Sequence, residues 1–293
     1  MKISIVCPFF NEETVIKSSV NNILIELNNL KLNYELIFVN DGSNDKSLEV
    51  IEKFTYHNND IKLISYKNNK GRGYALKRGL NLASGELIIT TEIDLSWGKD
   101  IFKKFVNKYQ EDTDVDIIIA SPHTKNGGYE NVPINRIYLS KFGNIILRFA
   151  YDSDITMYTG MTRAYRKGVF DSLPIDSNGK EFHLEVLQKA ISFGLIIKEI
   201  PAVINWNIIK QKTKRKSSSK ISSLIKSHLL FAAILSVVKY IFIINFIFVL
   251  IFLTYLCLAF YNFIFGGPSV FYLIISLIFF LLSEQLLDKI KLF

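Results

Sequence analysis

Cysteine is almost missing from this chain of 293 residues: Cys7 and Cys257 form no CxxC motif and no plausible pair, which excludes a disulfide framework and suits a reducing, cytosolic setting. Acids are missing from one region, for between Lys210 and Lys239 stand eight basic side chains and no aspartate or glutamate. Beyond it Lys289 and Lys291 cancel Glu284 and Asp288, so residues 1–209 are neutral overall and the net charge of +8 belongs to that single region. The preceding part therefore lacks the basic face, the aromatic stacking positions and the known modules of a nucleic-acid binder, and no nucleic-acid partner is expected. A long apolar run is missing from the start: residues 3–7 are too few for a signal peptide and stop at Pro8, so they read as a first strand. No internal repeat is present.

What is there is unevenly spread. Hydrophobic residues make up 49% of the chain, but polar, turn-rich sequence runs to about Asn207 and two long apolar stretches close it. Three parts follow: a cytosolic domain over residues 1–209, a basic linker and juxtamembrane amphipathic helix over 210–239, and two transmembrane helices at about 241–262 and 269–287. Lysines flank the pair at both ends while the turn at Gly266, Gly267 and Pro268 carries no charge, which puts both termini in the cytosol and makes the protein a multi-pass membrane protein. An apolar hairpin buried in protein instead would require a homo-oligomer. Neither span carries an acid near its midplane, which leaves a channel or flippase without a pathway.

Within residues 1–209, short β-branched runs alternate with segments of helical period. Strands are predicted over 3–7, 34–39, 61–66, 86–91, 116–120, 161–165 and 195–204, and helices over 15–30, 45–54, 75–82, 101–110, 135–151 and 181–193. Such units predict an α/β fold with a mostly parallel, Rossmann-like sheet and helices on both faces. The loops opening at Pro8, Asn40, Lys67 and Glu92 then share the carboxyl edge of the strands, where open α/β sheets bind ligands. Residues 121–132, with Gly127 and Gly128, read as a mobile loop over that edge.

Glu92 and Asp94 stand one residue apart at the end of a strand. In extended chain they share a face, so two hard oxygen donors can meet one divalent cation that also holds a diphosphate. Two solvated acids at a strand end is the plainer reading of the same residues.

The motifs Pro8-Phe9-Phe10-Asn11-Glu12, Val39-Asn40-Asp41-Gly42-Ser43, Asn69-Lys70-Gly71-Arg72-Gly73 and Glu92-Ile93-Asp94-Leu95 occur in this order. With Gly160 to Tyr165, Glu181 to Glu185, Glu199-Ile200-Pro201, Ser219-Lys220-Ile221 and the apolar tail, they resemble family 2 glycosyltransferases of GT-A fold. More narrowly they resemble dolichol-phosphate or polyprenyl-phosphate hexose (mannosyl or glucosyl) synthases. The resemblance implies an inverting hexosyltransferase that moves sugar from a GDP-mannose or UDP-glucose type donor to a membrane polyprenyl or dolichyl phosphate. It assigns Pro8, Phe10, Glu12, Asn40, Asp41, Lys70, Gly71 and Arg72 to the donor nucleotide. Mg²⁺ or Mn²⁺ falls to Glu92, Asp94 and Ser96, where Glu92 replaces an aspartate and Ser96 stands where many relatives have glutamine. Arg163, Lys214, Arg215, Ser219 and Lys220 are assigned to acceptor phosphate. Asp94, Arg163 and Glu185 form the catalytic set, Glu185 as base for a hydroxyl nucleophile or as a positioning group if the nucleophile is phosphate. His183 reads as a surface histidine. The alternatives are a membrane glycosyltransferase acting on a saccharide or lipid hydroxyl, and a non-catalytic membrane scaffold that binds nucleotide sugar.

Overall fold

A computed structural model of the protein describes residues 1–98, 100–151, 153–206, 237–266 and 268–290. The chain divides into two compact units, Met1–His228 and Leu229–Phe293.

The first unit is built on a seven-stranded sheet. Its strands are β1 (Lys2–Phe9), β2 (Asn33–Asp41), β3 (Ile61–Tyr66), β4 (Leu87–Thr90), β5 (Ile117–Ser121), β7 (Arg163–Arg166) and β8 (Ile197–Pro201), in the spatial order β3-β2-β1-β4-β7-β5-β8. The central strands are buried on both faces, with Ile3, Ile5, Val6, Leu36, Ile37, Phe38, Leu87 and Ile89 at 0% exposure. Near-continuous apolar runs are what two covered faces require. The helices α1 (Ile16–Leu30), α2 (Ser47–His57), α3 (Arg72–Leu82) and α4 (Ile101–Glu111) follow the expected alternation.

The sheet is mostly parallel, as expected, and β7 is the strand that runs antiparallel to its neighbours β4 and β5. Apolar periodicity marks a strand but carries no sign of its direction. The strand predicted over 195–204 breaks after Pro201: β8 stays in the main sheet while β9 (Val203–Asn205) leaves it to pair with β6 (Gly128–Glu130). Residues 121–132 are therefore held in part as a strand, not as a free loop. The helices α5 (Ile134–Tyr151), α6 (Val169–Ser172) and α7 (Phe182–Ser192) complete the unit.

At the amino edge of the sheet, opposite the ligand edge, Glu35 is buried on β2. It accepts hydrogen bonds from Ser4 Oγ (2.5 Å), Ser84 N (2.6 Å), Ser84 Oγ (2.8 Å) and Lys62 Nζ (2.6 Å). Although burial opposes the charge, these donors hold the carboxyl down at about 2. Glu35→Ala is expected to destabilise the unit by about 2 kcal/mol, the scale of several lost charge-assisted bonds partly screened through exposed Lys62. Thermal denaturation would show the loss, and the KM of the folded fraction should stay unchanged.

In the second unit α8 (Val237–Phe265) and α9 (Ser269–Ile290) pack against each other. Asn245 Nδ2 donates to Ser283 O (2.8 Å) and Oγ (3.0 Å), while Tyr255 stacks on Tyr272 and Phe279. Among the described residues one helix, Ile244–Phe265, has the length and apolarity to cross a membrane, and Val270–Glu284 is a shorter apolar helix.

Candidate active site

Strand order reverses at β1, which has β2 on one side and β4 on the other. The crevice beyond their carboxyl ends is where such a sheet takes a ligand. At this end of β1 the buried Cys7 thiol is pushed well up, first by burial and then by the charges of Asp94, Glu92 and Glu12.

Residues 92–98 form the turn that leaves β4. Leu95 has φ +50°, a left-handed conformation unusual for a leucine, and its amide donates to Glu92 O at 3.3 Å. Ser96 joins the two acids: its amide donates to Asp94 Oδ1 and its hydroxyl to Glu92 Oε2, both at 3.1 Å. Asn205 N donates to Ser96 O (2.7 Å), and Trp97 is buried beside Gly160, so the turn is held from two sides.

The donor set suits a hard cation. Among the described residues no group of three or more His, Cys, Asp or Glu side chains is placed to hold a metal; Glu92 and Asp94 stand in the turn as a pair, the Ser96 hydroxyl on Glu92 and the Ser96 amide on Asp94. A Mg²⁺- or Mn²⁺-type ion takes one or two carboxylates and completes its shell with substrate phosphates and water.

The residues expected to meet a nucleotide lie on the same edge but are bound largely to each other. Asn11 N donates to Ser43 Oγ (3.0 Å) and Glu12 N to Ser47 Oγ (2.8 Å), which ties the loop after β1 to the turn after β2. Asn40 Nδ2 donates to Ser65 Oγ and its Oδ1 accepts from Ser43 N, both at 3.0 Å. Pro8 is the last residue but one of β1, and Phe10, just past the strand, is 39% exposed. Asp41, 5% exposed, accepts from Tyr66 OH (2.8 Å), Lys70 N (2.8 Å) and Gly71 N (3.1 Å), and thereby folds the glycine loop onto the end of β2. Lys70 is exposed with its ammonium 4.7 Å from the centre of the Tyr74 ring, and Arg72 opens α3.

The glycines of this loop admit another part of the protein. Gly71 has φ +97°, and a Cβ there would lie 2.6 Å from Asn178 O; at Gly73 it would lie 2.8 Å from Asn178 C, Gly179 O and Ser177 O. Tyr74 N donates to Asn178 O (3.0 Å), and Lys77 Nζ donates to Ile175 O (3.3 Å) and Asp176 O (2.9 Å). The close backbone approach is thus to residues 177–179. Gly71→Ala is expected to cost about 1–3 kcal/mol, from the left-handed φ and the clash together, and to raise the donor KM more than it lowers kcat. Denaturant unfolding and initial-rate kinetics check the two halves.

Glu185 holds the other side of that segment. It is 5% exposed, its Oε1 accepts from Asp176 N (3.0 Å) and Lys189 Nζ (2.6 Å), and its Oε2 accepts from Ser177 N (2.8 Å). Burial raises its carboxyl, but these donors outweigh burial and bring it to about 2. Lys189 also donates to Pro174 O. Both oxygens of Glu185 are engaged, so in this arrangement it positions a loop.

Arg163 sits on β7 opposite Thr90 and Ile119, at 0% exposure. Its guanidinium donates to His183 O (3.0 Å) and Tyr158 O (2.6 Å), and burial lowers its pKa. As placed, it joins β7 to the start of α7, and contact with a phosphate would require those segments to open. His183, expected at the surface, is 2% exposed. The leucine and valine spacing of α7 did not show that both sides of this helix are covered. Lys214, Arg215, Ser219 and Lys220 lie outside the described residues.

Sequence reasoning missed the contribution of Asn178 and of the carboxylate of Glu199. Glu199 accepts from Thr156 N, Thr156 Oγ1 and Met157 N at 2.9–3.0 Å and so fixes the loop that leads into β7. Asn178-Gly179 is a legible turn signal, but its partners stand about a hundred residues earlier and leave no local trace.

A family model described as Glycosyl transferase family 2 matches residues 4–173. An uncharacterized glycosyltransferase of Bacillus subtilis is 32% identical over 125 residues, 43% of this chain and 38% of that protein. A dolichol-phosphate mannosyltransferase of Pyrococcus furiosus is 28% identical over 191 residues, 64% of this chain and 53% of that protein. The matches thus span from under two fifths to about half the length of these curated relatives. Among solved structures, glucosyl-3-phosphoglycerate synthase of Mycobacterium tuberculosis with Mn²⁺, UDP and phosphoglyceric acid superposes with TM-score 0.58 at 17% identity, covering 79% of this chain and 78% of that one. The same enzyme with Mn²⁺ and UDP-glucose gives TM-score 0.57 at 17% identity over 79% and 78%. At such identities the likeness is one of fold, the GT-A arrangement of sheet and helices.

Proposed function

This chain belongs to glycosyl transferase family 2, and from that premise we propose that it transfers a hexose from a nucleotide sugar to the phosphate of a membrane polyprenyl or dolichyl lipid. The observation that carries the reading is the Glu92–Ser96 turn at the strand-order reversal, in one chain with a 22-residue apolar helix. The likeness to a dolichol-phosphate mannosyltransferase supports the lipid acceptor, and the Mn²⁺ and UDP of the structural neighbours support a metal-assisted nucleotide donor.

In this reading the acceptor phosphate oxygen attacks C1 of the sugar in line, the bond from C1 to the diphosphate oxygen breaks, and a β-linked lipid-phosphate sugar and nucleoside diphosphate result. A bound divalent ion would supply charge neutralisation of the departing diphosphate. Glu92 and Asp94 would hold it, kept in register by Ser96. Glu12, Asn40 and the Asp41-clamped loop from Lys70 to Arg72 would shape the nucleotide pocket. An acceptor phosphate is ionised at neutral pH and needs no base, which accords with a Glu185 whose oxygens are both engaged. α8 and α9 would cross the membrane as a hairpin with both ends cytosolic, and Lys214, Arg215, Ser219 and Lys220 would meet the acceptor headgroup.

Membranes carrying the protein, given a panel of labelled nucleotide sugars and polyprenyl phosphate, should yield a labelled lipid that mild acid cleaves. Label found only on a saccharide or on a lipid hydroxyl would overturn the phosphate acceptor. Binding without multiple-turnover release of nucleoside diphosphate would make the protein a scaffold.

A further inference from the structure

Helix α5 turns its apolar side chains outward. Ile134 is 70% exposed, Tyr138 67%, Phe142 63% and Ile145 64%, and among the described residues no other helix of the first unit exposes more than one large apolar side chain. At about 100° per residue these four fall within an arc of about 80°, a single stripe. The opposite side is fixed: Leu147 is buried, and Asn144, 4% exposed, donates to Ser140 O (2.8 Å) and accepts from Tyr158 N (2.7 Å). The stripe therefore belongs to an ordered helix with one face packed and one bare.

Charge indicates what covers it. The 18 residues of α5 include Arg136, Lys141 and Arg148 and no acid. Helical spacing sets Lys141 and Arg148 along one border of the stripe. Arg148 also meets the exposed carboxylate of Asp154 at 2.8 Å, a surface pair of small worth. Two copies packed stripe to stripe would bring these cations together with no acid on either helix to answer them. Position gives a second, independent argument. The Arg136 guanidinium lies 4.8 Å from the centre of the Trp206 ring, so the last described residue of this unit stands beside α5, and the acid-free basic region follows it closely in the sequence.

We propose that the Ile134–Tyr138–Phe142–Ile145 face of α5 rests on an anionic lipid bilayer. The apolar side chains enter the boundary between headgroups and acyl chains, about 5–10 Å deep, and Lys141 and Arg148 meet the headgroups. The inference rests on the membrane residence proposed above and extends it to a helix within the catalytic unit.

The test uses the full chain in vesicles of phosphatidylcholine with phosphatidylglycerol, in a Cys257→Ala background; Cys7 is buried. An environment-sensitive fluorophore is attached at F142C or, as a control on α2, at Y56C, whose native residue is 86% exposed. Doxyl-labelled lipid should quench the label at 142 several-fold more than the label at 56, and K141E/R148E should reduce that quenching. Equal quenching at the two positions would overturn the proposal, as would dilution-sensitive disulfide crosslinking of F142C between copies. A chain that stays with the vesicles through an alkaline wash while its label at 142 remains unquenched refutes this inference alone and leaves membrane residence standing.

Discussion

Asp94→Ala should lower transfer by roughly a thousandfold at saturating donor. One carboxylate about 4 Å from a divalent ion, in a crevice with effective dielectric near 20, is worth on the order of 4 kcal/mol per unit charge, which is about three decades in rate. The variant should fold, since Asp94 is partly exposed and lies in a turn that Trp97 and the Asn205 amide also hold. Raising Mn²⁺ should recover part of the activity, because Glu92 still supplies a ligand. Glu92→Gln should cost less, its longer side chain being one donor tied by the Ser96 hydroxyl at 3.1 Å. The measurement is a metal titration of initial rates for the wild type and both variants. Full activity of Asp94→Ala, insensitive to chelator, would sink the metal assignment.

Glu185→Ala is the second large effect, and it falls first on stability. The side chain is 5% exposed and receives two backbone amides and the Lys189 ammonium. Its carboxyl lies near 2 in the folded protein, against roughly 4.3 when unfolded. A depressed pKa contributes stability that is fully present above the unfolded value and is lost as pH falls through the folded one. Stability of the wild type should therefore drop between about pH 4.5 and pH 2, and the difference from Glu185→Ala, about 3 kcal/mol at neutral pH, should shrink over the same window. Denaturant unfolding at pH 7, 4 and 3 checks this. Activity should fall as well, because residues 175–179 brace Gly71, Gly73 and Lys77. A general base would leave another signature: Glu185→Gln would remove the acid limb of kcat/KM. The expected outcome is an unchanged pH profile with a higher donor KM.

Much of the first unit was legible because its signals are local. The run at residues 61–66 gave β3 with its bounds, and the helix predicted over 135–151 is α5 within a residue. The helical spacing of Val20, Ile23 and Leu27 gave a helix whose buried side holds those residues. The site was legible only in part. That Glu92 and Asp94 lie close enough to β1 for their charges to act on Cys7 followed from strand alternation. That Asp41 spends its carboxylate on Tyr66, Lys70 and Gly71 did not, since the same side chain suits a ribose hydroxyl, a turn amide or a loop. Arg163 was expected in contact with phosphate; it is enclosed and holds two carbonyls.

The sequence by itself determined the alternation of strands and helices, the confinement of positive charge to one region, the apolar close of the chain, and the acid pair at the end of a strand. Each depends on the period or composition of neighbouring residues, which hydrophobic burial and helix geometry translate directly into local structure. Only the tertiary structure decided that β7 runs backwards, that Glu185 and Asp41 act as struts, and that one stripe of α5 stays bare. Those outcomes depend on which donor, carbonyl or apolar surface arrives from a distant part of the chain. A carboxylate in a sequence carries no mark of the partner that will neutralise it.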